Sequence, residues 1–376
     1  MKIAIDANRA IVESAGIGRY TFDVIDEILE IDHENEYLLV FTHWNTDPEK
    51  ERRVKHLTRS GKIDSVHLRL PGKLKSLLWG VRLPWFKKYL KGSDVLFAPS
   101  FFEANLGLKI PQVTTMHDMS FVLFPDQRGR ASAKFLESRA KNVCQISKTI
   151  IADSLATKKD VEKIYKIPSD KIEVVWLGRR EFTKIADKLP NGLKKDSYIL
   201  ATGTVEPRKN LVGLFNAYAM LSAELQAKYP LVIAGAKGWN TGEIFETLEK
   251  LKLSDKVIFL GFVEDEVLAK VYRDCLFFIY PSFYEGFGLP ILEALSFKKA
   301  VITSGVSSMP EVAGDAALLV DPNDAKSIYN GIFKLIMDPK VRGSLEAKAL
   351  EQANRFSWKK TAKRTLEILE DAVNGR

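Results

Sequence analysis

Two series of short apolar runs, each separated by segments of helical spacing, constrain this chain more than any other feature. The first series is KIAIDA (2–7), YLLVF (37–41), DVLFAP (94–99), QVTTMHD (112–118) and TIIADS (149–154). Between the first two, GIGRYTFDVIDEILEI (16–31) sets Tyr20, Val24, Ile28 and Ile31 on one helical face. Residues 131–147 and 154–166 read as further helices, the second with Ser154 as N-cap. The pattern restarts at SYILATG (197–203) and continues through LVIAG (231–235), VIFLG (257–261), CLFFIYPS (275–282) and AVITS (300–304). Helices are expected near 210–222, 241–251, 265–273 and 290–297. Near-continuous Val/Ile/Leu runs suit parallel strands buried on both faces, and β-α-β alternation implies right-handed crossovers. The expected class is α/β, with two Rossmann-like doubly wound domains facing a central cleft.

A length of 376 residues accommodates two such cores. The expected boundaries are 1–182 for an N-terminal domain and 195–357 for a C-terminal one. The polar stretch RREFTKIADKLPNGLKKD (179–196) reads as the linker. WKKTAKRTLEILEDAV (358–373) is an amphipathic helix, and 358–376 is expected to return to the first domain. Hydrophobic and charged contents of 46% and 28% are those of a soluble globular protein. No apolar run approaches the roughly 20 residues that span a bilayer, and MKIAIDANRA lacks a signal peptide's apolar core. The two cysteines, Cys144 and Cys275, imply no disulfide or thiolate framework, and a reducing cytoplasm fits.

Ligands of open α/β sheets bind at the carboxyl ends of the strands, so four loops carry the functional reading. In ESAGIGRY (13–20), Gly16 and Gly18 open a helix whose N–H groups can face an anion, although a tight turn explains the glycines equally well. In MHDMSFVLFP (116–125), His117 ends a buried strand, where an imidazole can orient hydroxyls or share a proton. A hydrogen bond within the loop is the plainer alternative. In TGTVEPRKN (202–210), Arg208 and Lys209 adjoin a helix start, where the macrodipole disfavours cations unless an anion lies near. In PSFYEGFGLPILE (281–293), Glu285 and Glu293 flank Gly286, Gly288 and Pro290. One acid precedes the helix and the other lies inside it. They can grip different parts of an extended ligand but cannot act as one tight pair. Cations, hydroxyl-binding acids and glycine amides together suggest a sugar joined to a diphosphate.

At these residues the sequence resembles the retaining GT-B glycosyltransferases of the family-4 type, along nearly its whole length. The most specific piece is E-x7-E, Glu285 to Glu293. TSGVSSMPEVAGDAALLVDP (303–322) and EPRKN (206–210) are similar to that family, and GIGRY and HDMSF (117–121) to its mannosyltransferase-like branch. The resemblance implies that Glu293 holds the ribose hydroxyls and Glu285 the donor sugar. Gly286, Phe287, Gly288 and Leu289 would offer backbone N–H groups, and Lys209 would bind phosphate. The family's arginine five residues before that lysine is Thr204 here, a departure that Arg208 would make good. Gly18, beside Gly16, would approach the diphosphate, and His117 would act near the transferred sugar. Gly261, Phe262 and Val263 would line the base pocket. The implied reaction is retaining transfer of a hexose from a GDP- or UDP-linked donor. Mannose from GDP-mannose is suggested by the branch alone, and a lipid-linked glycan in surface polysaccharide synthesis is the implied acceptor. No cofactor and no metal are called for; Glu264, Asp265 and Glu266 read as a helix cap with first-turn acids.

Net charge is +8, and RLPGKLKSLLWGVRLPWFKKYLK (69–91) carries seven cations with no acid. Trp79, Trp85, Phe86 and Tyr89 interleave with them, so the segment can lie on an anionic membrane surface. That would make the protein peripheral on the inner face. Core tryptophans with solvated lysines are the alternative. No nucleic-acid motif accompanies the charge. Two rival functions are a nicotinamide-dependent oxidoreductase and a non-catalytic sugar-nucleotide-binding protein. The first lacks the third fingerprint glycine and an acid after the second strand, where Thr42 stands.

Overall fold

The computed structural model describes residues 1–12, 16–43, 47–59, 63–70, 74, 88–105, 107–127 and 130–375. The chain divides into two compact units, Met1–Gly178 with Ser357–Arg376, and Arg179–Phe356.

The first unit is built on seven parallel strands: β1 (Lys2–Asp6), β2 (Glu36–Thr42), β3 (Ile63–Leu68), β4 (Val95–Ala98), β5 (Gln112–Met116), β6 (Thr149–Ala152) and β7 (Ile172–Val174). Their order is β3-β2-β1-β4-β5-β6-β7. Ile5 pairs with Leu39 on one side and Phe97 on the other, and all three are fully buried. β3 and β7 lie outside the strands read from sequence. IDSVHL is half-exposed and mixes polar with apolar residues, and β7 is three residues long. The helix Trp358–Asn374 belongs to this unit. Its Thr361 hydroxyl donates to the Trp176 carbonyl at 2.7 Å, Arg364 pairs with Glu173 at 2.8 Å, and Trp358 lies 6.2 Å from Tyr20 on the helix Ile17–Ile31.

The second unit carries six parallel strands: β8 (Ile199–Thr202), β9 (Leu231–Ala234), β10 (Val257–Gly261), β11 (Phe277–Tyr280), β12 (Val301–Ser304) and β13 (Ala317–Val320), in the order β10-β9-β8-β11-β12-β13. Alternate residues divide between two buried faces. Ile199, Ala201, Ile233, Ile279 and Ile302 join a cluster with Leu214, Phe215, Ile328 and Ile332 from the helices Leu211–Ala219 and Ala325–Met337. On the other face, Phe278 meets Tyr272 of the helix Asp265–Asp274, and Tyr272 stacks on Phe297. Burial on both faces is why β8, β9, β11 and β12 read as unbroken apolar runs.

The segment 179–196, read from sequence as the linker, falls within the second unit. Ala186 donates its N–H to the Glu266 carbonyl at 3.0 Å, Arg180 ion-pairs with Asp265, and the Arg180 guanidinium lies 4.3 Å over the Phe182 ring. Polar composition alone does not reveal such tethering. In each unit the strand order reverses beside its first strand, between β1 and β4 and between β8 and β11. That reversal is where open α/β sheets hold ligands.

Candidate functional site

The loops after β8 and β11 meet at the reversal of the second unit. After β8 the chain makes a short turn, Pro207–Lys209, and Asn210 then caps the helix Leu211–Ala219 with its side chain on the Gly213 N–H. The same side chain donates to the Pro281 and Pro322 carbonyls at 3.0 and 2.7 Å, and Phe283 N–H donates to the Arg208 carbonyl at 2.9 Å. These backbone ties set the side chains. Lys209 Nζ lies 2.7 Å from Glu285 Oε1 and 2.5 Å from the Tyr280 hydroxyl. Arg208 Nη1 donates to Glu285 Oε2 at 2.6 Å and to the Tyr284 carbonyl at 2.8 Å, and Nη2 donates to Glu206 Oε1 at 2.6 Å.

Glu285 is 8% exposed and Glu206 only 1%. Burial pushes the Glu285 carboxyl up, but Lys209 and then Arg208 outweigh it and hold the group down at about 2. Burial lowers the Lys209 ammonium from the ordinary lysine range, opposed by Glu285 and reinforced by Arg208. The site is thus an alternating chain of charge, Glu206–Arg208–Glu285–Lys209. The two cations that sequence reading assigned to an anion already have one, supplied by the protein.

Beyond Glu285 the chain turns through Gly286 and Phe287 into the helix Leu289–Ser296, with Pro290 in its first turn. Gly288 has φ 122°, a conformation that a side chain rarely adopts, and a Cβ there would meet Ile291 Cδ1 at 3.2 Å. The turn is held from behind by two serines. Ser308, fully buried, donates to the carbonyls of Glu285 at 2.8 Å and Phe287 at 2.6 Å, and Ser307 donates to Glu285 O at 2.6 Å. These bonds fix the backbone of the turn at Glu285 and Phe287. Phe287 is buried edge-on against Phe356, so its contribution to a ligand is restricted to its backbone.

Glu293 has different partners from Glu285. Its carboxylate accepts a hydrogen bond from the Tyr272 hydroxyl, which lies 2.7 Å from Thr202 Oγ1, and Arg180 Nη1 lies 3.8 Å from its Oε1. Gly261, Phe262 and Val263 follow at the carboxyl end of β10, and the Phe262 side chain is 71% exposed, an aromatic surface open to stacking.

In the first unit, Gly16 precedes the helix Ile17–Ile31 with φ 56°, and Gly18 is buried within its first turn. His117 follows β5. Its Nδ1 lies 2.7 Å from Asp153 Oδ2 and its Nε2 lies 2.8 Å from the Pro99 carbonyl. The Pro99 carbonyl can only accept, so Nε2 donates to it, and Nδ1 shares a proton with the buried Asp153 carboxyl. Burial lowers the His117 pKa, but Asp153 and Pro99 outweigh this and raise it above the ordinary histidine value.

Two family models cover almost the whole chain: Glycosyltransferase Family 4 matches residues 14–179, and Glycosyl transferases group 1 matches residues 183–352. The O-antigen chain mannosyltransferase B of Escherichia coli is 31% identical over 376 residues, covering 93% of this chain and 94% of its own. This chain belongs to glycosyltransferase family 4.

The serotype-specific mannosyltransferase WbdA of Escherichia coli is 28% identical to the glycosyltransferase over 96% of the chain, which spans 46% of WbdA's length. The fold is that of the GT-B enzymes. HepE of Anabaena, solved in complex with UDP and glucose, superposes with a TM-score of 0.73 at 17% identity, covering 98% of this chain and 99% of HepE. Membership sets aside the nicotinamide oxidoreductase. Within the glycosyltransferase's second unit, the structure unites Arg208, Lys209 and Glu285. Glu293 has its own hydrogen-bonded setting. Glu206, Tyr280, Tyr272, Arg180, Ser307, Ser308 and Asp153 were not singled out from sequence. Only Glu206, inside EPRKN, had a local signal, a carboxylate two residues from an arginine. Most of the basic stretch 69–91, including Trp79, Trp85 and Phe86, lies outside the described residues. Among the described residues no helix is long and apolar enough to cross a membrane.

Proposed function

We propose that this glycosyltransferase moves mannose from GDP-mannose, with retention, onto a hydroxyl of a lipid-linked glycan in surface polysaccharide synthesis. The observation that carries the proposal is the convergence of Lys209 and Arg208 on Glu285 beside a glycine turn. Mannosyltransferase names among the relatives and UDP in a structural neighbour support the donor class.

The chemical problem is a departing diphosphate beside a sugar that becomes oxocarbenium-like. Fixed cations and oriented N–H dipoles address it without reorganising during the reaction. Lys209 and Arg208 take the phosphates, aided by the N–H groups of Gly286, Phe287, Gly288 and Leu289. Glu285, freed from the cations, takes hydroxyls of the donor sugar. Glu293, oriented by Tyr272, takes the ribose hydroxyls, and Phe262 with Gly261 and Val263 faces the base. Gly16 and Gly18 contribute backbone to phosphate binding, and His117 acts electrostatically on the transferred sugar. With these cations in place no metal is required. The 69–91 segment docks the protein on the anionic inner face of a membrane, where a lipid-linked acceptor is presented. Sedimentation with anionic vesicles at low salt tests that docking, and no binding rejects it.

Thermal shift with GDP, UDP, ADP and NAD tests the donor, followed by transfer of labelled mannose to membrane extracts. A GDP-selective shift is expected. A UDP-selective shift replaces the donor while keeping the site, and no shift with any nucleotide removes the site assignment.

A further inference from the structure

Arg208 is shared by two carboxylates that are not equivalent. Glu206 belongs to the same loop, two residues away, is nearly inaccessible at 1% exposure, and accepts from Nη2 at 2.6 Å. Glu285 comes from the loop after β11 and divides its oxygens between Arg208 Nη1 at 2.6 Å and Lys209 Nζ at 2.7 Å. Two cations and two carboxylates sum to no net charge. A diphosphate that uses these cations must therefore take the place of a carboxylate. Of the two, only Glu285 is hydrogen-bonded to Lys209, so it is the one that must leave. Arg208 then keeps Glu206 and the Tyr284 carbonyl, which fix its fork on two sides.

We propose that Glu206 is a positioning residue of the phosphate site, pinning Arg208 in place while Glu285 serves as the exchangeable counter-ion that a diphosphate displaces. This rests on the nucleotide-sugar reading of the site. It also gives a physical account of Thr204. An arginine borrowed from position 208 needs its own anchor, because its neighbour Lys209 repels it and the exchange removes one of its partners.

The prediction has a sign that net charge alone cannot produce. Removing either carboxylate adds one positive charge, so charge counting predicts tighter anion binding in both cases. Positioning predicts opposite effects. The probe is inorganic pyrophosphate, titrated calorimetrically into the full chain at neutral pH and low salt. Glu285→Gln is expected to bind pyrophosphate about tenfold more tightly than wild type, because its competitor is gone. Glu206→Met is expected to bind it about tenfold more weakly, the scale of a lost hydrogen bond to a charged group. Glu206→Gln, which keeps an acceptor for Nη2, should recover part of that loss. If Glu206→Met fails to fold, Glu206→Gln carries the test, and weaker binding than wild type supports the proposal. Binding by the Glu206 variants equal to or tighter than wild type overturns it. Wild type that binds pyrophosphate while Glu206→Met is unchanged overturns this inference alone. Wild type that binds no pyrophosphate overturns both this inference and the phosphate reading of Lys209 and Arg208.

Discussion

His117 and Asp153, at the ends of the adjacent strands β5 and β6, form a buried ion pair 2.7 Å long, with the Pro99 carbonyl after β4 closing the other side of the ring. One imidazole ring therefore ties together the carboxyl ends of three neighbouring strands. Its titration lies above the usual histidine value of about 6.5. The contribution of His117 to stability is full below that value and is lost as pH rises through the raised one, while burial also raises Asp153, which costs stability as that carboxyl ionises. In Asp153→Asn, burial remains but its largest opponent is gone, so the His117 titration should fall below about 6.5. Imidazole resonances followed by NMR against pH measure this. An unchanged titration would show that Asp153 is not what holds the proton.

Glu285 has the opposite sign. Its folded titration, near 2, lies below that of an unfolded glutamate, about 4.3. The stabilisation it contributes is present above pH about 4.3 and is lost as pH falls toward 2. Glu285→Ala leaves Lys209 and Arg208 together in a buried site, which should cost about 3 kcal/mol at neutral pH and abolish transfer. Denaturant melts with and without pyrophosphate check it. Added anion should restore more stability to the variant than to wild type.

Ser308 sits behind the glycine turn, with its hydroxyl on the backbone carbonyls of Glu285 and Phe287. Replacing it with alanine removes the hydroxyl that donates to the Phe287 carbonyl and should cost about 1–3 kcal/mol. The turn's backbone then loses that support, so donor KM should rise severalfold. Steady-state kinetics paired with a melt separate the two effects. An unchanged donor KM would mean that the serine is purely structural.

Tyr272→Phe removes the hydroxyl that links Thr202 to Glu293. The expected stability loss is about 1 kcal/mol. If Glu293 holds the ribose, the affinity for a nucleoside diphosphate should fall while that for pyrophosphate stays the same. Calorimetry with both ligands decides it, and equal loss for the two would argue against a ribose role.

Legibility from sequence followed how locally each feature is encoded. The central strands β1, β8, β11 and β12 were plain because both faces are buried and the apolar run is unbroken. Strands β3 and β13 carry partly exposed residues and lost that signature. The helix Pro339–Asn354 has no strong apolar face and was not expected. The cations Arg208 and Lys209 stood out because they are adjacent at a helix start, and the glycine turn because of its spacing. The sequence did not indicate that Glu285, 76 residues from Lys209, would be its partner, nor that Ser307 and Ser308 would support the turn.

By itself, then, the sequence determined the doubly wound class, the position of the strand-end loops and the residue types gathered in them, since periodicity and glycine spacing act over a few residues. Only the tertiary structure decided which charge meets which. The reversal of strand order between β8 and β11 brings together loops distant in sequence, and burial there converts four separate side chains into one coupled group. Coulombic coupling depends on distance and desolvation, and neither is written along the chain.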